Sequence, residues 1–121
     1  MMGPALTWRM TLEVDGPDGV VAVAVSPDAE VLGFASGGPA RDADGPTEWE
    51  LYTVNVVASA YGSGLSHDLV AAVTRQRPAT VWVLRENSRA RGFYAKEGYV
   101  ADGAMRTHEG KGLPELRMVR H

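Results

Sequence analysis

Short β-rich runs separated by turn residues fill the first half of the chain, and a helical repeat of apolar positions takes over after it. "VVAVAV", Val20 to Val25, follows the turn signal "DGPDG", and "VLGFAS", Val31 to Ser36, follows "SPDAE". "GGPARDADGP" predicts a loop rich in Gly, Pro and Asp. "EWELYTVNVV", Glu48 to Val57, is the longest predicted strand. Beyond it, Leu65, Leu69, Val70, Ala72 and Val73 fall on one helical stripe that ends before Pro78. "VWVL", Val81 to Leu84, predicts a buried strand. Asn87 or Ser88 caps a second helix, with Ala90, Phe93, Tyr94 and Glu97 on one side and Gly98 at its C-terminal cap. "GYVADGAMRT" and "PELRMVR" predict two final strands joined by "HEGKG". The order implies a mixed α/β fold in one domain spanning residues 1–121.

Composition narrows the function classes. With 45% hydrophobic and 22% charged residues, the chain is suited to a packed core. A net charge of -3 without a Lys/Arg cluster argues against nucleic acid. The absence of cysteine excludes disulfides, thiolate metal sites and a Cys nucleophile. No apolar run is long enough to span a membrane. The start, "MMGPALTWRMTLEV", lacks the basic-then-apolar pattern of a signal peptide, so the expected location is cytoplasmic.

The joint between the long strand and the first helix is stripped of bulk: "YGSGLS", Tyr61 to Ser66. A helix N-terminus offers unpaired N–H groups and partial positive charge, and glycines let an anion reach them. The joint matches neither the lysine-bearing phosphate loop nor the three-glycine dinucleotide spacing. A tight turn alone would also account for it.

A second pattern weighs toward the anion site, with an unrelated α/β domain carrying a Gly-rich turn as the alternative. "NSRARGFYAKEGY" places Asn87, Ala90, Phe93, Tyr94, Gly98 and Tyr99 in the order Asn-x-x-Ala-x-x-Phe-Tyr-x-x-x-Gly-Phe. This resembles the carboxy-terminal signature of the GNAT acyltransferase superfamily. Tyr61, Gly62, Ser63, Gly64, Leu65 and Ser66 resemble that family's Gln/Arg-x-x-Gly-x-Gly/Ala loop, with Tyr61 and Ser63 standing where basic residues are common. The resemblance covers Val20 to Arg120. It implies a GNAT-like fold lacking the usual first strand and most of the first two helices, since only some nineteen residues precede Val20.

The resemblance also implies a chemistry. An N-acetyltransferase of this family binds acetyl-CoA between two parallel strands, without a metal. Val54, Asn55 and Val56 would pair with the pantetheine arm, Tyr61 to Ser66 would hold the pyrophosphate, and Asn87 would hydrogen-bond the arm. Tyr94 would be the general acid toward the thiolate. For ordinary values near ~10 and ~8.5 that transfer is uphill by only ~2 kcal/mol. The Val56 N–H would polarise the thioester carbonyl. Glu50 is the preferred base, with Glu48 or a water-mediated group as alternatives. The acceptor is an unspecified primary amine of a small molecule or peptide.

Each of these residues also has a plainer reading. Tyr94 fits the core face of a helix, Asn87 a cap, and Glu48 and Glu50 edge-strand charges. His67 and His108 read as solvated. Arg89 and Arg91 open the second helix, where cations are mildly unfavourable; they read as a solvated face or as partners of coenzyme phosphates. A non-catalytic acyl-CoA-binding or dimerisation module stays open beside the enzyme. An apolar face and a sheet edge left uncovered imply a homodimer.

Overall fold

The computed structural model describes residues 6–121; Met1 to Ala5, the first residues of the segment "MMGPALTWRMTLEV", lie outside them. The chain runs β1 (Arg9–Gly16), β2 (Gly19–Val25), β3 (Val31–Pro39), β4 (Trp49–Val56), α1 (Leu65–Thr74), β5 (Ala79–Leu84), α2 (Ser88–Lys96), β6 (Val100–Thr107) and β7 (Pro114–Arg120). The strands form one seven-stranded sheet in the order β1-β2-β3-β4-β5-β7-β6. Only β4 and β5 are parallel; every other pair is antiparallel.

Mixed α/β architecture is therefore what the residue pattern predicted. Two elements differ from the expectation. Arg9–Gly16 occupies the edge next to β2, where the resemblance implied that a strand is missing. Charged residues interleave "RMTLEV", which hides its strand pattern, and Pro17-Asp18 turn the chain straight back into β2. No helix precedes β2 among the described residues. The second difference is β3, which runs on to Pro39 through glycines that read as loop. Those glycines are steric. A Cβ on Gly37 would strike Val73 Cγ1 of α1 and lie 2.8 Å from the Glu50 carbonyl oxygen.

One face of the sheet carries both the core and α1. Ala22, Ala24, Ala35, Leu51, Val81 and Val83 are buried there, with Leu65, Leu69, Val70 and Val73 of α1 packed on them. Alanines and glycines on β2 and β3 let the helix lie close. Fully burying a side chain such as Leu69 contributes about 1.5–3 kcal/mol. Strand alternation places Val14, Val21, Val23, Phe34, Thr53 and Asn55 on the opposite face. No described helix covers that face between β1 and β4, and Phe34 is 41% exposed.

Candidate acyl-donor cleft

Strands β4 and β5 pair only through Trp49–Ala79, Glu50–Thr80 and Leu51–Val81, then part. The parting coincides with a bulge. Ser36 faces Thr53 and Gly37 faces Leu51, so Tyr52 is an extra residue in β4. The bulge bends β4 away and opens a cleft of about 630 Å³ between its end, the Tyr61–Ser66 joint and α2.

Val54, Asn55 and Val56 form one wall. Their backbone directions follow from strand alternation. The N–H of Val57 donates to the Leu32 carbonyl on β3 at 2.9 Å, so the N–H groups of Val54 and Val56 point to the other side, where β5 has left.

The joint forms the floor. Gly62 and Gly64 both adopt positive φ, +76° and +93°, which side chains rarely tolerate. Ser63 is turned inward: its hydroxyl donates to the Ala60 carbonyl and accepts from the Leu65 N–H. The first free N–H of α1 is thus capped from within the joint. Among the described residues, the N–H groups of Gly62, Gly64, Ser66 and His67 have no protein acceptor. They are the orphan donors of a helix start, set under an open cleft. Leu65 contributes no side chain to the cleft; it is fully buried in the core.

The third wall is α2. Asn87 caps it, its Oδ1 accepting from the Ala90 N–H at 3.0 Å, which leaves its amide NH₂ free to donate. Phe93 and Tyr94 line the cleft, and Gly92 leaves a notch between them and the helix start. Tyr94 is 7% exposed, with its ring edge-on to Phe93 and Tyr99. Burial, and secondarily the neighbouring Tyr99, pushes the Tyr94 phenol up to about 12. It remains a proton donor across the whole physiological range.

Most of the expected donor-site residues therefore come together: Val54, Asn55, Val56, Tyr61, Gly62, Gly64, Ser66, Asn87 and Tyr94 all line this cleft. Three do not. Ser63 is a cap and Leu65 is core. Glu50 is the third: it is 1% exposed, and Arg41 takes both of its oxygens, Nη2 at 2.7 Å from Oε2 and the backbone N–H at 2.9 Å from Oε1. The bulge at Tyr52 shifts the alternation, so Glu50 shares a face with Thr53 and Asn55 rather than with Val54 and Val56. Glu48 is exposed just before β4. No carboxylate stands among the described residues that line the cleft, although Glu97 Oε1 lies 2.7 Å from Nδ1 of His67, which does line it. Sequence reasoning read His67 as solvated and passed over Gly92 and Lys96, yet all three also line it. Their signal was position alone: His67 sits in the first turn after the glycines, and Gly92 and Lys96 lie a turn apart on α2.

This geometry has counterparts among solved structures. The architecture matches a GNAT-family acetyltransferase from Desulfovibrio desulfuricans (TM-score 0.64, 23% identity, 84% of this chain and 67% of that one). It also matches nourseothricin acetyltransferase (0.71, 20%, 95% and 83%). A third match is a Bacillus subtilis acetyltransferase in complex with CoA (0.69, 13%, 94% and 98%). The chain has the GNAT superfamily fold. It spans about two thirds of the length of several such chains, including 64% of one from Corynebacterium glutamicum and 66% of one from Bordetella pertussis. No protein-family model and no curated protein sequence matches it. Within the GNAT fold, the parted strands, the joint and α2 are the parts brought together here by the bulge, the glycines and the Asn87 cap. No described helix is long and apolar enough to cross a membrane.

Proposed function

We propose that this protein transfers an acetyl group from acetyl-CoA to a primary amine. One observation carries the reading: a cleft opened by a strand bulge joins unpaired N–H groups at a glycine-lined helix start to a buried, protonated tyrosine. The Bacillus subtilis structure of the same fold holds CoA, which agrees with that use of the cleft.

The residues divide the work. The outward N–H and C=O groups of Val54 and the C=O of Val56 pair with the amide-rich pantetheine arm, and the Asn87 amide adds a donor from the facing wall. Gly62, Gly64, Ser66 and His67 offer backbone N–H groups to the pyrophosphate. The amine nitrogen attacks the thioester carbon, forming C–N as C–S breaks, while the Val56 N–H stabilises the charge on the carbonyl oxygen. The sulfur takes its proton from Tyr94. With that phenol at about 12, donation to a free thiolate near ~8.5 is uphill by roughly 5 kcal/mol, so it must accompany C–S cleavage.

With no carboxylate among the described residues of the wall, and Glu97 held by His67, the amine's proton passes to solvent. An acceptor near pKa ~7.7 is neutral in about one molecule in six at pH 7, whereas a lysine-like amine near ~10.4 is neutral in about one in 2,500. The favoured acceptor is therefore an amine of low basicity, such as an α-amine. The reading is tested by calorimetry with acetyl-CoA on the wild type and Gly64→Glu. Micromolar binding lost in the variant supports it, and no binding at millimolar coenzyme removes it.

The quaternary proposal is a homodimer through the uncovered face of β1 to β3. Val14, Val21, Val23 and Phe34 give that face an apolar patch with few charges, suited to self-pairing about a two-fold axis.

A further inference from the structure

We propose that Arg89, on α2, is the phosphate-recognising cation of this cleft, taking over from the loop. The proposal rests on the acyl-CoA reading above and adds a residue that reads the coenzyme's phosphates.

The joint itself carries no cation. Tyr61 and Ser63 stand at its variable positions, and the Ser63 hydroxyl is spent on Ala60 and Leu65. Across the cleft mouth, the Arg89 guanidinium carbon lies 3.2 Å from the centroid of the Tyr61 ring. An arginine held by its face on an aromatic keeps its N–H edge free for oxyanions. Tyr61 thus serves as a platform that brings the charge of α2 over the unpaired N–H groups of the joint.

Arg89 is also misplaced by local rules. It stands in the first turn of α2, where the helix end is already positive, and that turn contains no acidic residue. Arg41, Arg75, Arg106 and Arg117 meet carboxylates; Arg89 meets none among the described residues, as is also true of Arg9, Arg77, Arg85, Arg91 and Arg120, but of these six Arg89 is the one that lines the cleft. In a chain of net charge -3, the described residues that line the cleft include Arg89 and Lys96 and no Asp or Glu, and Glu97, beside them, is taken by His67 at 2.7 Å. A bound phosphate would satisfy the arginine, the helix end and the orphan N–H groups together, and local rules are broken most often where function requires it. Two phosphate sources on the coenzyme share this chemistry, the diphosphate and the ribose 3′-phosphate.

The test compares wild type with Arg89→Ala and Tyr61→Leu by calorimetry. The probes are acetyl-CoA, its 3′-dephospho form and phosphate-free S-acetyl-pantetheine. Arg89→Ala should weaken acetyl-CoA by about tenfold to a hundredfold, the range of a charge-assisted hydrogen bond, and leave S-acetyl-pantetheine unchanged. Tyr61→Leu should give a smaller loss with the same selectivity. A penalty that vanishes on the 3′-dephospho form assigns the 3′-phosphate, and one that persists assigns the diphosphate. An equal loss on acetyl-CoA and S-acetyl-pantetheine, or no loss on either, overturns the proposal while leaving the acyl-CoA reading in place. Failure of the wild type to bind acetyl-CoA overturns both.

Discussion

Arg41 closes over Glu50 with its backbone N–H and its guanidinium, so that the most deeply buried carboxylate of the sheet has both oxygens occupied. The same guanidinium lies 4.2 Å above the Tyr52 ring, the residue that forms the bulge. The hydrogen bond to Glu50 raises the Arg41 pKa further above its ordinary value. Glu50 thus anchors the 40–48 segment to β4. Removing one partner strands a buried charge, which costs about 3–5 kcal/mol for a fully buried pair. Arg41 is more than half exposed, so water returns part of that, and Arg41→Ala should cost about 1–2 kcal/mol. Glu50→Gln keeps an acceptor for the Arg41 N–H and should cost less. If Glu50 anchors rather than abstracts a proton, Glu50→Gln keeps the wild-type pH–rate profile. A profile that loses its lower limb would restore Glu50 as base.

The contrast between Glu50 and Tyr94 marks what was legible in the chain. Asn87, Ala90, Phe93 and Tyr94 form a local pattern within one helix, so spacing alone puts the cap at the start and Tyr94 on the buried side. Glu50 is preferred as base from the resemblance, by its place at the start of the long strand, whereas the face it takes and its contact with Arg41 depend on a bulge at Tyr52 that has no local signature in "ELYTVNV". Leu65 and Ser63 sit inside a loop whose glycines read correctly, but which side chain turns inward is set by the packing of α1 on the sheet. Gly37 and Gly38 read as loop because their steric role depends on Val73 and Tyr52, distant in sequence. Nothing local connected Arg89 with Tyr61.

Tyr94→Phe should lower kcat about 10²-fold or more while leaving the acetyl-CoA Kd unchanged, since it removes only the proton. In the wild type the rate should rise with pH as the acceptor amine is deprotonated. It should not fall until pH approaches about 12, where Tyr94 ionises. Stability follows the same group. Its folded pKa lies above the unfolded value near ~10, so its contribution is complete below pH ~10 and is lost as pH rises from there toward 12. The unfolded chain ionises first. A pH–rate profile for both proteins, with thermal melts from pH 8 to pH 12, checks both statements. A rate maximum below pH 9 that Tyr94→Phe abolishes would contradict them.

Tyr99 carries the one buried side-chain hydroxyl without a partner among the described residues. It is 2% exposed, and burial raises its pKa. Leaving a buried hydroxyl unpaired costs about 1–3 kcal/mol, and phenylalanine has the same shape without it. Tyr99→Phe should therefore stabilise the fold by about 1 kcal/mol, read as a higher denaturant midpoint at unchanged m-value. A destabilised variant would mean that the hydroxyl holds a water or a ligand.

Gly92 separates stability from function. It lies inside α2, exposed, with no atom within 4 Å of the position a Cβ would take. Alanine there should stabilise the helix by roughly 0.8–1 kcal/mol through propensity. The same methyl would intrude on the cleft that Gly92 lines. Gly92→Ala is expected to melt higher and to bind acetyl-CoA more weakly. A variant that gains stability and keeps full affinity would place the coenzyme away from this part of α2.

The uncovered sheet face makes a last prediction that does not depend on the cleft. Val14 and Phe34 project from β1 and β3 on the side that no described helix covers, 51% and 41% exposed in the single chain. If a second copy covers them, sedimentation at micromolar concentration gives a dimer. Phe34→Asp, which places a charge at the centre of the patch, should then give a folded monomer. Both positions are already half in water, so the substitution should cost the isolated chain no more than about 0.5 kcal/mol. Loss of the dimer without loss of the fold is thus the expected pair of results. A wild type that sediments as a monomer would show that this face is wetted in solution.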